Sequence, residues 1–263
     1  MIYFLSDAHI GSRALGDRAA HEKHVCQCLL SLSSDATAVY LLGDWFDYWY
    51  EYVWRKPQEY SLTLATLRQL TGRGIPVHYF IGNHDIWTFG WLEEQTGVIL
   101  HRRPEVMTIA GKQCLLAHGD GLIPSDMLLR YPKPVQKKIR RFMFLRWVFH
   151  NPVLQRLFAL VPPALGDRLG YEWARRSRLK ELAHPVGYKG EHEEELVLYA
   201  KEQEQKRHLD YYIFGHRHIE LDLCLASDAR VVILGDMFRQ FTYAAMDNNG
   251  NLTLENYEEY KVQ

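Results

Sequence analysis

The chain has 263 residues, 47% hydrophobic and 24% charged, with a formal net charge of −1. That length accommodates one large α/β domain or two modest ones around a sizeable core, and the composition excludes disordered and fibrous chains. No apolar stretch reaches the roughly 18–20 residues needed to span a bilayer. The apolar start, residues 1–5, is too short for a secretory leader. The four cysteines, Cys26, Cys28, Cys114 and Cys224, have no framework spacing and read as reduced thiols of a cytosolic protein.

In chain order, residues 2–5 read as a buried strand that ends in Asp7-Ala8-His9. A helix is expected over 19–32, then an apolar run at 38–42 ending in Gly43-Asp44-Trp45-Phe46-Asp47. Helical spacing returns at 60–71 through Leu62, Leu64, Leu67 and Leu70, and stops at Gly72-Arg73-Gly74. Residues 76–81 read as the next strand, followed by Gly82-Asn83-His84-Asp85. Runs at 106–109 and 113–117 flank Ala110-Gly111-Lys112, a hairpin signal, and the second run ends in His118-Gly119-Asp120.

Residues 122–190 break this rhythm. They hold most of the prolines and two long apolar helical stretches, 139–149 and 153–161. Between Asp126 and Asp167 there is no acid but there are eight Lys or Arg residues, so this window carries +8 and the rest of the chain −9. A charged helix over 193–207 then leads to the run 211–214 and to Gly215-His216-Arg217-His218. Strands at 221–225, 231–234, 241–246 and 252–257 close the chain, the last two around an Asn248-Asn249-Gly250 turn. Parallel βαβ units followed by antiparallel strands imply an α/β fold of two facing sheets with helices outside. Residues 1–121 and 191–263 form its core, with 122–190 inserted as a helical cap.

Five polar blocks thus follow five apolar runs, and ligands of α/β sheets collect at the carboxyl ends of strands. Cations that handle phosphate favour carboxylate, imidazole and amide oxygen. Asp7, His9, Asp44, Asn83, His118, His216 and His218 supply all three. Two ions need a shared ligand, and Asp44 at the central strand tip is the natural bridge. His216 and His218 alternate across their strand end, so each can serve a different ion, and glycines 43, 82 and 215 let the backbone turn sharply there. Taken singly, an Asp-x-His near an amino terminus or a lone His118 is more often structural; the ordered set outweighs that reading. His21, His24, His78, His101, His150, His184, His192 and His208 fall outside the blocks and are assigned structural or surface roles.

The blocks resemble the pattern D-x-H, G-D, G-N-H-[DE], H and G-H-x-H of the calcineurin-like metallophosphoesterase superfamily, over nearly the whole chain. The resemblance implies a four-layer α/β/β/α sandwich with two facing mixed sheets and two divalent ions, of the Mn²⁺ type. It places Asp7, His9, Asp44 and His218 on one ion, and Asp44, Asn83, His118 and His216 on the other. His84, oriented by Asp85, would touch the phosphate and assist the leaving group. Asp47 and Asp120 would support ligands rather than bind metal.

Within the superfamily, the size, the Asp-x-His start and the insert resemble the UDP-2,3-diacylglucosamine diphosphatases of lipid A synthesis. That implies hydrolysis of an acylated sugar nucleotide to UMP and 2,3-diacylglucosamine 1-phosphate, peripheral to the cytoplasmic face of a bacterial inner membrane. Asp126 and Ser177 match substrate contacts of that family, beside Asn83, His84 and His216. Glu181 and His184 stand where its later Asn and Lys would fall, and its better-known branch carries Arg at the position of His84. The basic, apolar insert is open to three readings: a cap packed on the sandwich or on a partner subunit, a greasy substrate chamber with basic rims, or a face for an anionic bilayer. Nucleic acid is not the expected partner, because the charges sit among Phe, Leu and Val runs. A phosphomonoesterase, phosphodiesterase or nuclease is the alternative activity.

Overall fold

The computed structural model describes residues 1–57, 59–124, 132–184 and 187–257. The first half runs β1 (Ile2–Leu5), α1 (Arg18–Leu32), β2 (Ala38–Leu42), α2 (Ser61–Gly72), β3 (Val77–Phe80), α3 (Trp91–Thr96), β4 (Ile99–His101), β5 (Glu105–Ile109) and β6 (Lys112–Ala117). Three helices follow: α4 (Lys133–His150), α5 (Pro152–Phe158) and α6 (Pro163–Ala183). The chain then returns through α7 (Glu195–Lys206) to β7 (Tyr211–Phe214), β8 (Glu220–Cys224), β9 (Arg230–Leu234), β10 (Thr242–Met246) and β11 (Leu252–Asn256).

Side-chain alternation along the strands builds the layers. In the six-stranded sheet, ordered β11-β10-β1-β2-β3-β4, strands β1 to β4 are parallel. Tyr3, Leu5, Val39, Leu41, Val77 and Tyr79 pack with Val25 and Leu29 of α1 and Leu64, Leu67 and Leu70 of α2. Their neighbours Phe4, Tyr40, Leu42 and Phe80 point the other way and meet Leu116, Ile213, Val232 and Leu234 of the second sheet. That sheet, ordered β5-β6-β7-β9-β8, covers its outer face with Leu196, Val197 and Ala200 of α7. The result is helix, sheet, sheet, helix. Sheets covered on both faces need continuous apolar strands, which is why β1, β2 and β7 show no polar alternation.

Local chemistry sets several boundaries. The Asp17 side chain accepts the Ala20 amide hydrogen and caps α1. Ala110 and Gly111 both adopt positive φ, 47° and 79°, and Ile109 pairs with Lys112, so the β5–β6 hairpin turns on two residues and Lys112 belongs to the strand. Elements α3 and β4 are absent from the sequence reading. They have six and three residues, too few for periodicity to register, and α3 is framed by Gly90 and Gly97 in left-handed conformations.

The helical cap, α4 to α6, lies between β6 and α7. Its attachment runs mainly through α6, where Tyr171, Ala174 and Arg178 are buried, and through Gln155, whose side-chain amide donates to the Ile86 carbonyl. Helix α4 buries no residue, and Phe142, Phe144 and Trp147 are 49%, 61% and 59% exposed. Packing on the sandwich therefore does not account for the apolar character of this helix. Among the described residues no helix is long and apolar enough to cross a membrane. All four cysteines are free thiols.

The inter-sheet layer offers a direct stability test. The Phe4 ring is fully buried and stacks on Tyr40 with centroids 5.0 Å apart. Phe4→Ala should cost about 3–5 kcal/mol, read as a lowered midpoint in urea unfolding.

Candidate metal centre

The carboxyl ends of β1, β2 and β3 in one sheet meet those of β6 and β7 in the other. Hydrogen bonds lock the meeting point. The Asp7 amide donates to the Gly43 carbonyl at 3.0 Å, and the Gly215 amide to that of His118 at 2.9 Å. Across the sheets, His118 Nδ1 bonds the Leu42 carbonyl at 2.9 Å, and the His216 amide donates to Asp7 Oδ2 at 2.8 Å.

All seven candidate ligands come together. Asp7, His9 and His218 form one group and Asp44, His118 and His216 another, each with ligand atoms within 4.8 Å of one another. In the first, His218 Nε2 lies 2.9 Å from Asp7 Oδ1 and 3.3 Å from His9 Nε2. In the second, His118 Nε2 lies 3.4 Å from Asp44 Oδ2 and 3.3 Å from Asn83 Oδ1. Asp44 Oδ2 is also 3.8 Å from His9 Nε2, so this one carboxylate stands between the groups.

The backbone is bent to achieve this. Asp7, His9, Asp44, His216 and His218 all have positive φ, five of the eight such non-glycine residues among those described. The left-handed region costs a side-chain-bearing residue roughly 1 kcal/mol or more, so its concentration here marks a functional constraint. The glycines serve a different end from the sharp turn expected of all three. Only Gly43 has positive φ, +86°. Gly82 and Gly215 are needed for room: a Cβ on Gly82 would sit 2.1 Å from Asp44 Oδ1, and one on Gly215 2.5 Å from Asp7 Oδ2.

Charge in the cluster is uneven. Burial alone would raise the Asp7 and Asp44 carboxyls, but neighbouring histidines hold both well below the usual carboxylate range: His218 and His9 for Asp7, His118 and His84 for Asp44. Burial works against a charged His118, yet Asp44, Asp7 and Asp120 push it well above the ordinary imidazole value. Burial and the nearby His118 push His216 down to about 4. The cluster thus sets ionised carboxylates beside a charged His118 and a neutral His216 in a buried space, and with the His118 proton released it is a donor set that fits divalent cations.

Residues around the ligands depart in part from the sequence reading. His84 is not oriented by Asp85: its Nδ1 bonds the Asp47 backbone carbonyl at 2.6 Å, and its Nε2 lies 4.0 Å from Asp44 Oδ2. Asp85 instead accepts hydrogen bonds from the Trp45 amide, the Gly82 amide and the Tyr79 hydroxyl, and burial next to Asp44 pushes its carboxyl up to about 6. It holds the loops that carry Asp44 and Asn83. Asp47 does face a ligand, with Oδ1 3.4 Å from His9 Nδ1. Asp120 turns to the cap, where Arg146 Nε reaches its Oδ2 at 2.7 Å and His150 Nε2 lies 3.8 Å away.

A cavity of about 270 Å³ opens on the ligands, lined by Asp44, Asn83, His84, His216 and His218 from the core and by Ser177, Arg178, Lys180 and His184 from the cap side. Ser177 therefore lies at the site, as does His184, which had been assigned a surface role. Asp126 falls outside the described residues. Sequence reading missed Arg178 and Trp173. Arg178 is 2% exposed, with Nη1 3.2 Å from His218 Nδ1 and Nε 3.9 Å from Asp47 Oδ1. The Trp173 ring lies 5.0 Å from that of His84. The i, i+4 spacing of Trp173 and Ser177 on one helix was the available signal.

A family model described as calcineurin-like phosphoesterase matches residues 1–220. The chain belongs to the calcineurin-like phosphoesterase family. This phosphoesterase is a metal-dependent hydrolase. It is 34% identical over 269 residues to a UDP-2,3-diacylglucosamine hydrolase of Porphyromonas gingivalis, covering 98% of each chain. It is also similar to UDP-2,3-diacylglucosamine hydrolases of Vibrio cholerae, at 26% identity over 90% of each chain, and of Yersinia pseudotuberculosis, at 29% over 70% of this chain and 69% of that one.

The close fit at Gly82 gives a test that substitutes no ligand. Gly82→Ala must displace Asp44, so the variant should stay folded by circular dichroism yet bind less divalent metal in elemental analysis after dialysis.

Proposed function

We propose that this phosphoesterase hydrolyses the pyrophosphate of UDP-2,3-diacylglucosamine, releasing UMP and 2,3-diacylglucosamine 1-phosphate. Two observations support the substrate class: the relatives' names, one at 34% identity over 98% of each chain, and a cap that sets Ser177 over the ligand cluster. The sharing of Asp44 between two donor groups carries the mechanistic part.

Asp7, His9, Asp44 and His218 would hold one divalent cation, and Asp44, Asn83, His118 and His216 the other, with Mn²⁺ the metal of this reading. Two such ions supply Lewis acidity to a bound phosphate and an activated water. The chain's residues do the rest. The Leu42 carbonyl accepts from His118 Nδ1 and so fixes the ring with Nε2 beside Asp44, where its lone pair would serve the ion once Nε2 has given up its proton. The Asp47 carbonyl likewise accepts from His84 Nδ1 and turns Nε2 to the cavity. Burial disfavours the charged ring, whereas Asp44, Asp47 and a bound phosphate favour it, and in that charged form Nε2 can contact phosphate and pass its proton to the leaving group. Asp85 acts through the loops it braces, and Arg178 brings a fixed positive charge from α6 to the cavity wall. Asn83, His84, Ser177 and His216 line the space in which the diphosphate would sit. The Trp173 ring packs 5.0 Å from that of His84, and Asp126 is retained as a substrate contact on the strength of the sequence match alone.

The reading also places the protein on the cytoplasmic face of a bacterial inner membrane. Helix α4 presents exposed Phe142, Phe144 and Trp147 beside Arg140 and Arg141, a composition suited to the interface of an anionic bilayer. Sedimentation with vesicles containing phosphatidylglycerol should therefore pull the protein down at low salt, and Phe144→Ser with Trp147→Ser should release it.

The substrate test is UMP release from UDP-2,3-diacylglucosamine with Mn²⁺ present and after chelation. Turnover confined to the metal-containing arm is expected. Rapid hydrolysis of simple phosphomonoesters or oligonucleotides, with none of the acylated sugar nucleotide, would transfer the assignment to the alternative activities. Asp44→Ala should abolish both metal binding and turnover. His84→Ala should retain metal while kcat falls by about 10²–10⁴.

A further inference from the structure

A second, larger cavity of about 980 Å³ separates the core from the cap. It is bounded by Ile81 after β3, by residues 102–104 between β4 and β5, and by α4 and α5. A narrower passage of about 150 Å³ shares Ile81, Arg102, Arg103, Arg146 and His150 with this chamber and ends against His118 and Asp120. The chamber thus approaches the ligand cluster at its His118 edge, whereas the cavity under α6 meets it at His84, His216 and His218.

Its lining is strongly cationic. Lys56, Arg102, Arg103, Arg146 and Arg156 face it, with His150. The single carboxylate that lines it among the described residues is Glu51, which is 1% exposed and already committed. Glu51 accepts hydrogen bonds from the amides of Phe89, Trp91 and Leu92 and from the Trp49 indole. Arg146 is neutralised by Asp120, and Arg102 reaches Glu93 only at 4.0 Å while donating to the Thr88 carbonyl. Lys56, Arg103 and Arg156 make no ion pair among the described residues. Apart from Gln155, the remaining wall is apolar, formed by Val53, Phe89, Leu157 and Leu160 together with prolines.

Like charges gathered in one concavity repel, and a bound anion relieves that repulsion. Guanidinium groups present forked donors that match phosphate oxygens in pairs. We propose that this chamber is a second anion site, one that takes a phosphate monoester dianion independently of the metal ions. The apolar wall accommodates whatever the phosphate is attached to. Hydrolysis of a phosphodiester or a pyrophosphate leaves phosphate monoesters, and the chamber lies next to the cluster that would release them, adjoining it through the recess at His118. The proposal uses only the family's hydrolase chemistry and is independent of the acylated sugar nucleotide.

Calorimetric titration of the metal-loaded full chain tests it, with inorganic phosphate and with dihexanoyl phosphatidic acid below its micellar concentration as probes. The expected result is a binding class that Arg103→Ala/Arg156→Ala weakens by about tenfold or more, the loss of charge-assisted hydrogen bonds, with metal content unchanged. Lys56→Ala, in a loop, should weaken the same class by a smaller factor. Arg140→Ala/Arg141→Ala removes equal charge from α4 outside the chamber and should leave the class intact. Tighter binding of the phosphatidic acid than of phosphate assigns the class to an amphiphile's head group, and equal binding assigns it to free phosphate. Absence of a class sensitive to the Arg103 and Arg156 substitutions, or equal loss in the Arg140 and Arg141 variant, overturns the proposal.

Discussion

Two carboxylates, Asp7 and Asp44, are buried where the carboxyl ends of strands from two sheets meet, and most of the molecule's local irregularity follows from their burial. An unpaired buried carboxylate costs several kcal/mol, so each must face positive charge or hydrogen-bond donors. Here the partners are imidazoles from the ends of β1, β3, β6 and β7, in groups whose ligand atoms lie within 4.8 Å of one another. Bringing them so close requires left-handed backbone at five ligand positions and bare glycines at 82 and 215. A site that concentrates strain and negative charge is tolerable when the surrounding layers hold it rigidly. The inter-sheet core of Phe4, Leu42, Phe80, Leu116 and Ile213 does that from directly beneath.

The cap is tied to this same centre rather than to the outer surface of the sandwich. Asp120, two residues beyond His118, binds Arg146 of α4, and the Arg146 side chain lies against Gly121, whose φ of +69° favours glycine. From the other side, Arg178 of α6 reaches His218 and lies near Asp47. A displacement of the cap is therefore felt at the ligands. The arrangement also leaves α4 with an apolar, basic face turned outward, and so separates the cap's attachment through α6 from the surface it presents.

Much of the site was legible because metal ligation demands particular side chains at strand ends, and both features are visible in one dimension. Asp7, His9, Asp44, Asn83, His118, His216 and His218 each follow an apolar run, and all converge. Supporting residues were less legible. Proximity in sequence suggested that Asp85 orients His84, yet the backbone carbonyl of Asp47 takes that role, and a carbonyl carries no sequence signature. Asp120 reads in sequence as a ligand support; its charge does act on His118, and it also anchors the cap through Arg146, which the sequence did not signal. Gly82 and Gly215 looked like turn residues, but steric room is their purpose, and that depends on where Asp44 and Asp7 arrive from elsewhere in the chain.

The amino-acid sequence alone determined the layers and the chemistry: apolar runs buried on both faces must become covered strands, and a repeated pattern of Asp, His and Asn at their ends must meet phosphate-handling cations. The tertiary structure alone decided which groups serve those ligands and what the insert does. Arg178 and Trp173 are ordinary members of a helical pattern until α6 is laid across the cluster, and Arg102 and Arg103 acquire a common cavity with Arg156 only when α5 folds back over the β4–β5 turn. Such contacts join residues 40 or more positions apart, and nothing in local spacing encodes a distance that long-range packing sets.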